Sequence, residues 1–263
     1  MHPKLSVSII DVGQGDAILL EFPGGKRMLV DAGPLSQRFN AGERIIAPFL
    51  KRKGITHLEY LLITHSHSDH LGGTLALLQS IRVDTIVMSP FRGSSYQVRS
   101  ILQAAEENNV GQKVLRAGSQ IALDSRARVY SLYPEHSAAK IKNLNNSSIV
   151  LKVVYGSSSV LLVGDAEVVD ENKMVRRYDD FLKSDVLKVG HHGSYSSTSE
   201  EFLKIVHPHK ALVSVGIHNR FRHPSPITMQ RLAAHAIEIS RTDQKGAIIF
   251  ESDGSAWKQE RWR

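Results

Sequence analysis

Cysteine is missing from this sequence of 263 residues, and its absence excludes several kinds of chemistry. The chain can form no disulfide framework, no thiolate metal site and no catalytic thiol. Any metal ion that it binds must therefore be held by nitrogen and oxygen ligands. Long apolar runs are missing too, since none approaches the roughly 18 to 20 residues that span a bilayer. No secretory signal precedes the strand-like residues 5–10, so we expect a soluble chain without a membrane-spanning segment.

Two common catalytic signatures are also absent. The sequence contains neither a serine nucleophile elbow nor a phosphate-binding glycine-rich loop with lysine, so nucleoside triphosphate chemistry is unsupported. Lysine and arginine number 33 against 26 aspartate and glutamate residues, which gives a formal net charge of +7. Such an excess favours an anionic partner without identifying it. Because the candidate site draws on most of the chain, we expect a single domain over residues 1–263.

Strand-like and helix-like segments follow one another in an order that occurs twice. The first half predicts strands over 5–12, 17–22 and 27–31, then helices over 43–53, 71–80 and 96–108 with strands over 60–63 and 84–88 between them. The second half predicts strands over 120–123, 128–132, 148–155 and 160–163, then helices over 167–177, 199–206 and 227–235 with strands over 185–189, 211–215 and 247–251. This order predicts a layered α/β body in which two mixed β-sheets pack together with helices outside them.

The segment Thr64-His65-Ser66-His67-Ser68-Asp69-His70 follows the apolar run Tyr60-Leu61-Leu62-Ile63 directly. Side chains two apart on an extended segment point the same way, so His65 and His67 can bind one ion. Asp69 and His70 lie beyond the strand end and could face a second ion. Imidazole and carboxylate ligands suit zinc, manganese or iron, and two such ions can activate water and bind a phosphoryl group. The alternative is a polar loop whose histidines only form hydrogen bonds.

The His65-x-His67-x-Asp69-His70 pattern resembles the signature of the metallo-β-lactamase superfamily, whose fold is an αβ/βα sandwich with a di-metal site at one edge. Further motifs closely resemble the C-terminal hydrolase-like domain of ComEC, a DNA-uptake competence protein, and its free-standing relatives. In chain order they are Asp11-Val12-Gly13-Gln14-Gly15-Asp16, Leu29-Val30-Asp31-Ala32-Gly33, Asn145-Asn146-Ser147-Ser148, Gly164-Asp165, Lys188-Val189-Gly190-His191-His192-Gly193-Ser194 and Asn219-Arg220-Phe221-Arg222-His223-Pro224. The resemblance covers nearly the full chain.

The resemblance implies a ligand set for two divalent ions. His65 and His67 would bind the first ion, and Asp69, His70 and His223 would bind the second. Asp165 would bridge the two, since one negative charge between two dications offsets their repulsion. The alternatives are an ordinary Gly-Asp turn for Asp165 and a surface histidine for His223.

Asp31 is expected to accept a hydrogen bond from a ligand imidazole, or else to be a plain turn residue. Asp16 could line the mouth of the site or belong to a turn.

One position departs from the broader superfamily. A histidine is usual between the first motif and the bridging aspartate, but the family-like position holds Asn145-Asn146, and the interval offers only His136, which we do not assign as a ligand. Asn146 is therefore a weaker oxygen ligand or a neighbour of the ion. We accordingly expect the first site either to be loosely occupied or to prefer manganese or magnesium over zinc.

The motif His191-His192-Gly193-Ser194 follows a predicted strand, where imidazoles, an amide and a hydroxyl could meet an anionic group. We expect His191 or His192 to stabilise phosphoryl oxygens or to protonate the leaving oxygen, with Asp69 and Ser194 beside them. Either histidine could instead be a metal ligand or have a structural role.

Arg220 and Arg222 flank Phe221 next to His223, so positive charge and a ring that could stack on a base would lie beside the metals. The alternative is a solvated basic loop. Together with the resemblance, this implies a metal-dependent phosphodiesterase that acts on DNA, in single strands or at ends, next to a membrane channel or other competence machinery. A free-standing chain would be cytoplasmic, whereas a piece of a ComEC-like protein would be extracytoplasmic. Two other hypotheses stay open: a hydrolase of a small ester, lactone or phosphodiester, and a DNA-binding module that no longer cleaves.

Overall fold

Two β-sheets lie face to face in the computed structural model, which describes residues 3–135 and 143–261. Within these ranges the first sheet has eight strands, in the order β15 (Trp257–Glu260), β14 (Ile248–Ser252), β1 (Leu5–Ile9), β2 (Ile18–Glu21), β3 (Arg27–Val30), β4 (His57–Ile63), β5 (Arg82–Met88) and β6 (Gly111–Val114). The second has seven, in the order β13 (Glu238–Arg241), β12 (Lys210–Val213), β11 (Val186–Lys188), β10 (Ser158–Leu162), β9 (Val150–Tyr155), β8 (Ala127–Tyr133) and β7 (Gln120–Ile121).

Both sheets are mixed. Strands β3 to β6 are parallel, as are β10 to β13, and the remaining neighbours pair antiparallel. The helices are α1 (Ala47–Arg52), α2 (Ser68–Leu71), α3 (Thr74–Ser80), α4 (Tyr96–Glu107), α5 (Val168–Tyr178), α6 (Glu200–Val206), α7 (Pro226–Ala234) and the short α8 (Thr242–Lys245). The predicted class, two mixed sheets with helices outside, is confirmed. None of the helices in the described ranges combines the length and apolar character that crossing a bilayer requires.

Three apolar layers hold the elements together. The middle layer contains side chains from both sheets, such as Val7 of β1 and Leu162 of β10. A second layer joins the first sheet to α1, α3 and α4, and a third joins the second sheet to α5, α6 and α7. Alternation along β4 explains why its apolar run is continuous: Leu62 faces the middle layer, while Leu61 and Ile63 face the helices.

One predicted helix is interrupted. The segment 71–80 was expected to be continuous, but α2 ends at Leu71 and α3 begins at Thr74. Gly72 and Gly73 lie between them, and Gly73 approaches the carbonyl oxygen of Ala32 so closely that no side chain would fit. The break therefore fixes α2, with Asp69 and His70, against the loop that follows β3.

Strand direction determines where the site lies. Because parallel strands end at the same edge of a sheet, the segments after β3, β4, β10, β11 and β12 gather at one edge of the sandwich. All the candidate ligands come from these segments.

Candidate metal centre

The candidate ligands form two groups that share one carboxylate. Asp69, His70, Asp165 and His192 each offer a ligand atom, and these four atoms lie within 4.8 Å of one another. His65, His67 and Asp165 form a second set by the same criterion. Asp165 thus occupies the position that the sequence-based prediction gives to a bridging carboxylate.

The four-residue group is tightly arranged. His70 Nε2 lies 3.2 Å from Asp165 Oδ2, and His192 Nε2 lies 3.4 Å from Asp69 Oδ2 and 3.7 Å from Asp165 Oδ1. His70, Asp165 and His192 are buried, whereas Asp69 keeps 30% of its side chain exposed. Of the four members, Asp69 is therefore the one that solvent reaches.

The three-residue group lies on the other side of Asp165. His65 Nε2 is 3.0 Å from His67 Nδ1 and 3.7 Å from Asp165 Oδ2. His65 is buried, and its Nδ1 lies 3.1 Å from the hydroxyl of Thr64, so Nε2 is the nitrogen that faces the cluster.

The donor atoms fit divalent cations. His70 Nε2, His192 Nε2 and Asp165 Oδ1 are buried without a hydrogen-bond partner among the described residues. Buried polar atoms without partners are rare because their desolvation is costly. Here the atoms converge on one another, and a cation between them would satisfy all three. The imidazole and carboxylate donors are those that zinc, manganese and iron accept, so the residues fit a divalent metal without specifying which one.

Asp31 orients His70, as the sequence suggested. Its carboxylate lies 2.8 Å from His70 Nδ1 and accepts hydrogen bonds from the Thr64 amide and hydroxyl. Asp31 has a left-handed backbone with φ of 63°, which turns the side chain back beneath the strand ends. Since Nδ1 is held by Asp31, His70 is left with Nε2 for an ion.

His192 replaces His223 as the histidine that completes the four-residue group. The sequence predicts His223 as a ligand and gives His191 or His192 a role with phosphoryl or leaving oxygens, with a metal-ligand role as the alternative. In the structure His192 Nδ1 bonds to the Ser214 carbonyl oxygen at 3.0 Å, which directs Nε2 toward Asp69 and Asp165. His223 belongs to neither ligand group. Its ring contacts that of His191 instead, at 5.5 Å between centroids.

The physical reason for this exchange is the backbone at the end of β11. His191 and His192 have φ of 46° and 54°, so the chain turns sharply and carries the two imidazoles to different sides. His191 lies with Nε2 at 3.7 Å from Asp165 Oδ2 and keeps 24% of its side chain exposed. His191 therefore lies near Asp165, the carboxylate that both ligand groups share, and solvent can still reach it.

Electrostatics agree with this arrangement. Burial alone would lower the pKa of His192, but Asp165, Asp16 and Asp69 together raise it to about 9. By contrast, burial and two neighbouring imidazoles lower the pKa of His223 to about 4. Without an ion, then, a protonated His192 balances the carboxylates, and a bound cation would take over that role with release of protons.

Sequence comparison places this site in a known family. The family model described as the metallo-β-lactamase superfamily matches residues 10–118 and 134–217. The chain belongs to the metallo-β-lactamase superfamily. It is 36% identical to ComE operon protein 3 of Bacillus subtilis over 95% of this chain and 34% of that protein. It is 30% identical to the competence protein ComA of Neisseria gonorrhoeae over 99% of this chain and 34% of that protein.

The chain spans about a third of the length of these curated relatives. Among solved structures, the metallo-β-lactamase fold protein YhfI of Bacillus subtilis superposes with a TM-score of 0.60 at 12% identity, over 94% of this chain and 100% of that one. At this identity the likeness shows the fold alone. Together the comparisons establish a metal-dependent hydrolase fold that is related to proteins named for competence.

The three-residue group departs from the superfamily pattern at the position that the sequence indicated, where asparagine stands in place of a histidine. Asn145 is buried, and its Nδ2 lies 3.3 Å from Glu167 Oε1 and 3.5 Å from His191 Nδ1. The Oδ1 atoms of Asn145 and Asn146 are buried without hydrogen-bond partners in the described part of the chain. Both amides therefore offer an oxygen that could serve as a neutral ligand. His136 lies outside the described residues.

Four other residues differ from the sequence-based expectation or were not part of it. Ser194, expected to meet an anionic substrate, is buried and shares a hydrogen bond of 3.0 Å with the Ser196 hydroxyl. Asp16 is fully buried rather than at the mouth, and it forms an ion pair of 2.8 Å with Lys188. The signal for Lys188 was its charge within the apolar strand β11. Glu167 was also missed, although it is an acid two residues after Asp165.

Arg220 and Arg222 lie on the exposed loop that follows β12, as expected for residues that could meet a substrate. Arg220, Phe221 and Asp69 line one cavity of about 430 Å³. The basic loop and the open side of the four-residue group therefore face the same space.

Proposed function

We propose that this chain is a metal-dependent phosphodiesterase that cleaves DNA. The observation that carries the proposal is the pair of ligand groups sharing Asp165, placed beside a cavity that Arg220 and Phe221 line. Two divalent ions, zinc or manganese with magnesium as a further candidate, would supply a water that is deprotonated near neutral pH and positive charge for the phosphoryl oxygens. This many carboxylate and imidazole groups suit the binding of cations better than a role that involves only neutral groups.

The residues of the chain divide the remaining work. His192 is buried and faces the carboxylates, so we assign it to the ion rather than to proton transfer. His191 keeps an exposed edge beside Asp165, so it is the imidazole that can contact a phosphoryl or leaving oxygen. Arg220 and Arg222 add positive charge on the exposed loop, where a DNA backbone would be attracted in a salt-dependent way.

The curated relatives suggest the setting. Two of them are named for competence, and this chain corresponds to about a third of each. We propose that the activity serves DNA uptake, beside the remaining parts of such a protein or its partners. On this view the substrate is a single strand or a DNA end rather than intact duplex.

The test is cleavage of end-labelled single-stranded and double-stranded DNA by metal-stripped protein after addition of manganese, magnesium or zinc. Asp165→Asn is the key variant. Asp180→Asn is the control, because 77% of the Asp180 side chain is exposed and its one ion pair within the described residues is with Lys183. Cleavage that needs an ion and is lost in Asp165→Asn alone supports the proposal. Hydrolysis of a small ester with no cleavage of DNA would refute it in favour of a small-molecule hydrolase. Salt-sensitive DNA binding without any turnover would indicate a binding module.

A further inference from the structure

A preformed cavity adjoins the exposed side of the metal centre. Its volume is about 430 Å³, within the range of about 300 to 1,000 Å³ that is common for ligand sites. Its lining combines Ser68 and the candidate ligand Asp69, the apolar Pro34 and Leu35, and Asn219, Arg220 and Phe221 of the loop after β12. The cavity thus adjoins a ligand of the metal centre and presents both flat and apolar side chains.

The wall formed by the loop after β12 is held in place by hydrogen bonds. Asn219 Nδ2 donates to the carbonyl oxygens of Gly216 and His223, at 3.0 Å and 2.7 Å. Asn219 Oδ1 accepts from the His223 amide at 2.9 Å. The Gly216 amide in turn donates to the Gln14 side chain at 3.3 Å, which ties this loop to the β1–β2 loop across the cavity. A ligand would therefore meet a preformed surface.

Flat side chains are stacked along this wall. The ring of Phe221 lies nearly parallel to that of His223, with 16° between planes and 5.8 Å between centroids. The guanidinium of Arg220 lies 4.8 Å from the centre of the Phe221 ring. Although Phe221 has these two neighbours, half of its surface stays exposed. His223 meets His191 edge to face rather than stacked, with 68° between the ring planes, so a series of ring contacts leads from Phe221 to the metal centre.

We propose that this cavity binds an unpaired nucleobase of the strand whose phosphodiester is cleaved, stacked on Arg220 and Phe221. The inference rests on the proposed function and adds the feature of DNA that the site recognises, which is an unpaired base. Aromatic rings and guanidinium planes stack on any base, and a basic groove attracts the backbone, which is how proteins bind single strands without sequence preference. A base inside an intact duplex is already stacked and paired, so it could not enter. The cavity therefore selects single strands and frayed ends.

The chain offers a matched control for the stack. Phe181 is exposed to a similar degree, 42% against 50%, and also has a cation 4.8 Å from its ring centre, the ammonium of Lys152. It belongs to the turn that precedes β11, whereas the candidate ligand His192 follows β11. A cation and an aromatic ring in contact are thus present at both places, but only the Arg220–Phe221 pair adjoins the ligands.

The experiment combines Phe221→Ala with an abasic nucleotide placed next to the cleaved bond. Stacking on one base is worth roughly a 5- to 150-fold change. We expect Phe221→Ala to lower kcat/KM on intact single-stranded DNA within that range, and the abasic nucleotide to lower it by a similar factor for the wild type. The two changes together should cost little more than either alone, because each removes the same contact. Phe221→Tyr should restore the rate, and Phe181→Ala should leave it unchanged.

The inference would be overturned if Phe221→Ala lowered kcat/KM by the same factor on intact and on abasic DNA. The ring would then only support the loop. The inference can also be separated from the proposed function. If the wild type cleaves no DNA, the metal-stripped protein is titrated with single-stranded DNA that contains 2-aminopurine, whose fluorescence falls on stacking. Quenching by the wild type that is lost in Phe221→Ala would support the base site without the nuclease, and equal signals would refute it.

Discussion

The buried pair of Asp16 and Lys188 should behave as a unit whose separation destabilises the protein. Lys188 Nζ lies 2.8 Å from Asp16 Oδ2, and both side chains are at most 1% exposed. The attraction at that distance is about 6 kcal/mol at an effective dielectric constant of about 20. Desolvation of each ion costs several kcal/mol, so the complete pair is worth little overall. The perturbation that matters is the loss of one partner.

Three variants test this reasoning: Lys188→Met, Asp16→Asn and the double change. Lys188→Met should lower the free energy of unfolding by about 3 to 5 kcal/mol, since it leaves the Asp16 carboxylate buried beside His192 without its cation. Asp16→Asn should cost a similar amount because the ammonium is then unpaired. The double variant should regain most of the loss. Urea unfolding of metal-stripped protein gives the three values.

The refuting result is additivity. If each single variant costs less than about 1 kcal/mol and the double variant costs their sum, the two charges are not coupled. In that case water or another group must solvate Asp16 or Lys188, and the premise that each buried charge depends on the other is wrong.

Further predictions concern pH, packing and the metal. Burial raises the pKa of Glu171 from 4.5 to about 6. The folded protein therefore keeps the Glu171 proton to a higher pH than the unfolded chain does. The unfolding free energy of the wild type relative to Glu171→Gln should accordingly fall by about 2 kcal/mol as pH rises from about 4 to about 7. A constant difference across that pH range would contradict the burial argument. Leu162→Ala opens a cavity between the sheets and should cost about 2 to 5 kcal/mol in urea unfolding, whereas a smaller loss would mean that the sheets close around it. Asp31→Asn removes the charge that holds His70 Nδ1 and should weaken metal binding about 10- to 100-fold in competition with a chromophoric chelator, and unchanged affinity would show that Asp31 has no such role.

The central strands could be predicted from sequence, whereas three of the four edge strands could not; the fourth, β7, lies within the predicted strand 120–123. Burial on both faces makes β4 a continuous apolar run, which is visible in the sequence. β6 at one edge of the first sheet is exposed at every position, and β15 at the other edge is exposed or half-buried throughout. Neither has an apolar pattern, since β15 places only Trp257 of its four residues against the middle layer. β13, at the edge of the second sheet, was also missed because its one buried side chain is the polar Ser240.

The site could be predicted in part. His65, His67, Asp69 and His70 lie within six residues of one another, so their proximity could be predicted without knowledge of the fold. The choice between His192 and His223 is not local, because it depends on a left-handed turn and on the Ser214 carbonyl, which lies just beyond the end of β12.

Lys188 is a second example of a contact between distant residues that the sequence alone does not reveal. Its charge could be seen within an apolar strand, but its partner Asp16 is 172 residues away in sequence and meets it only through the packing of the two sheets.

The most direct test of the account is the rate of single-stranded DNA cleavage as manganese or zinc is added stepwise to the metal-stripped protein. The two ligand groups that share Asp165 predict no cleavage without an ion and a plateau at about two ions per chain. Asp165→Asn should abolish the rise at every ratio. Cleavage that persists in a chelator, or a titration that Asp165→Asn leaves unchanged, would contradict the assignment of a shared two-ion centre.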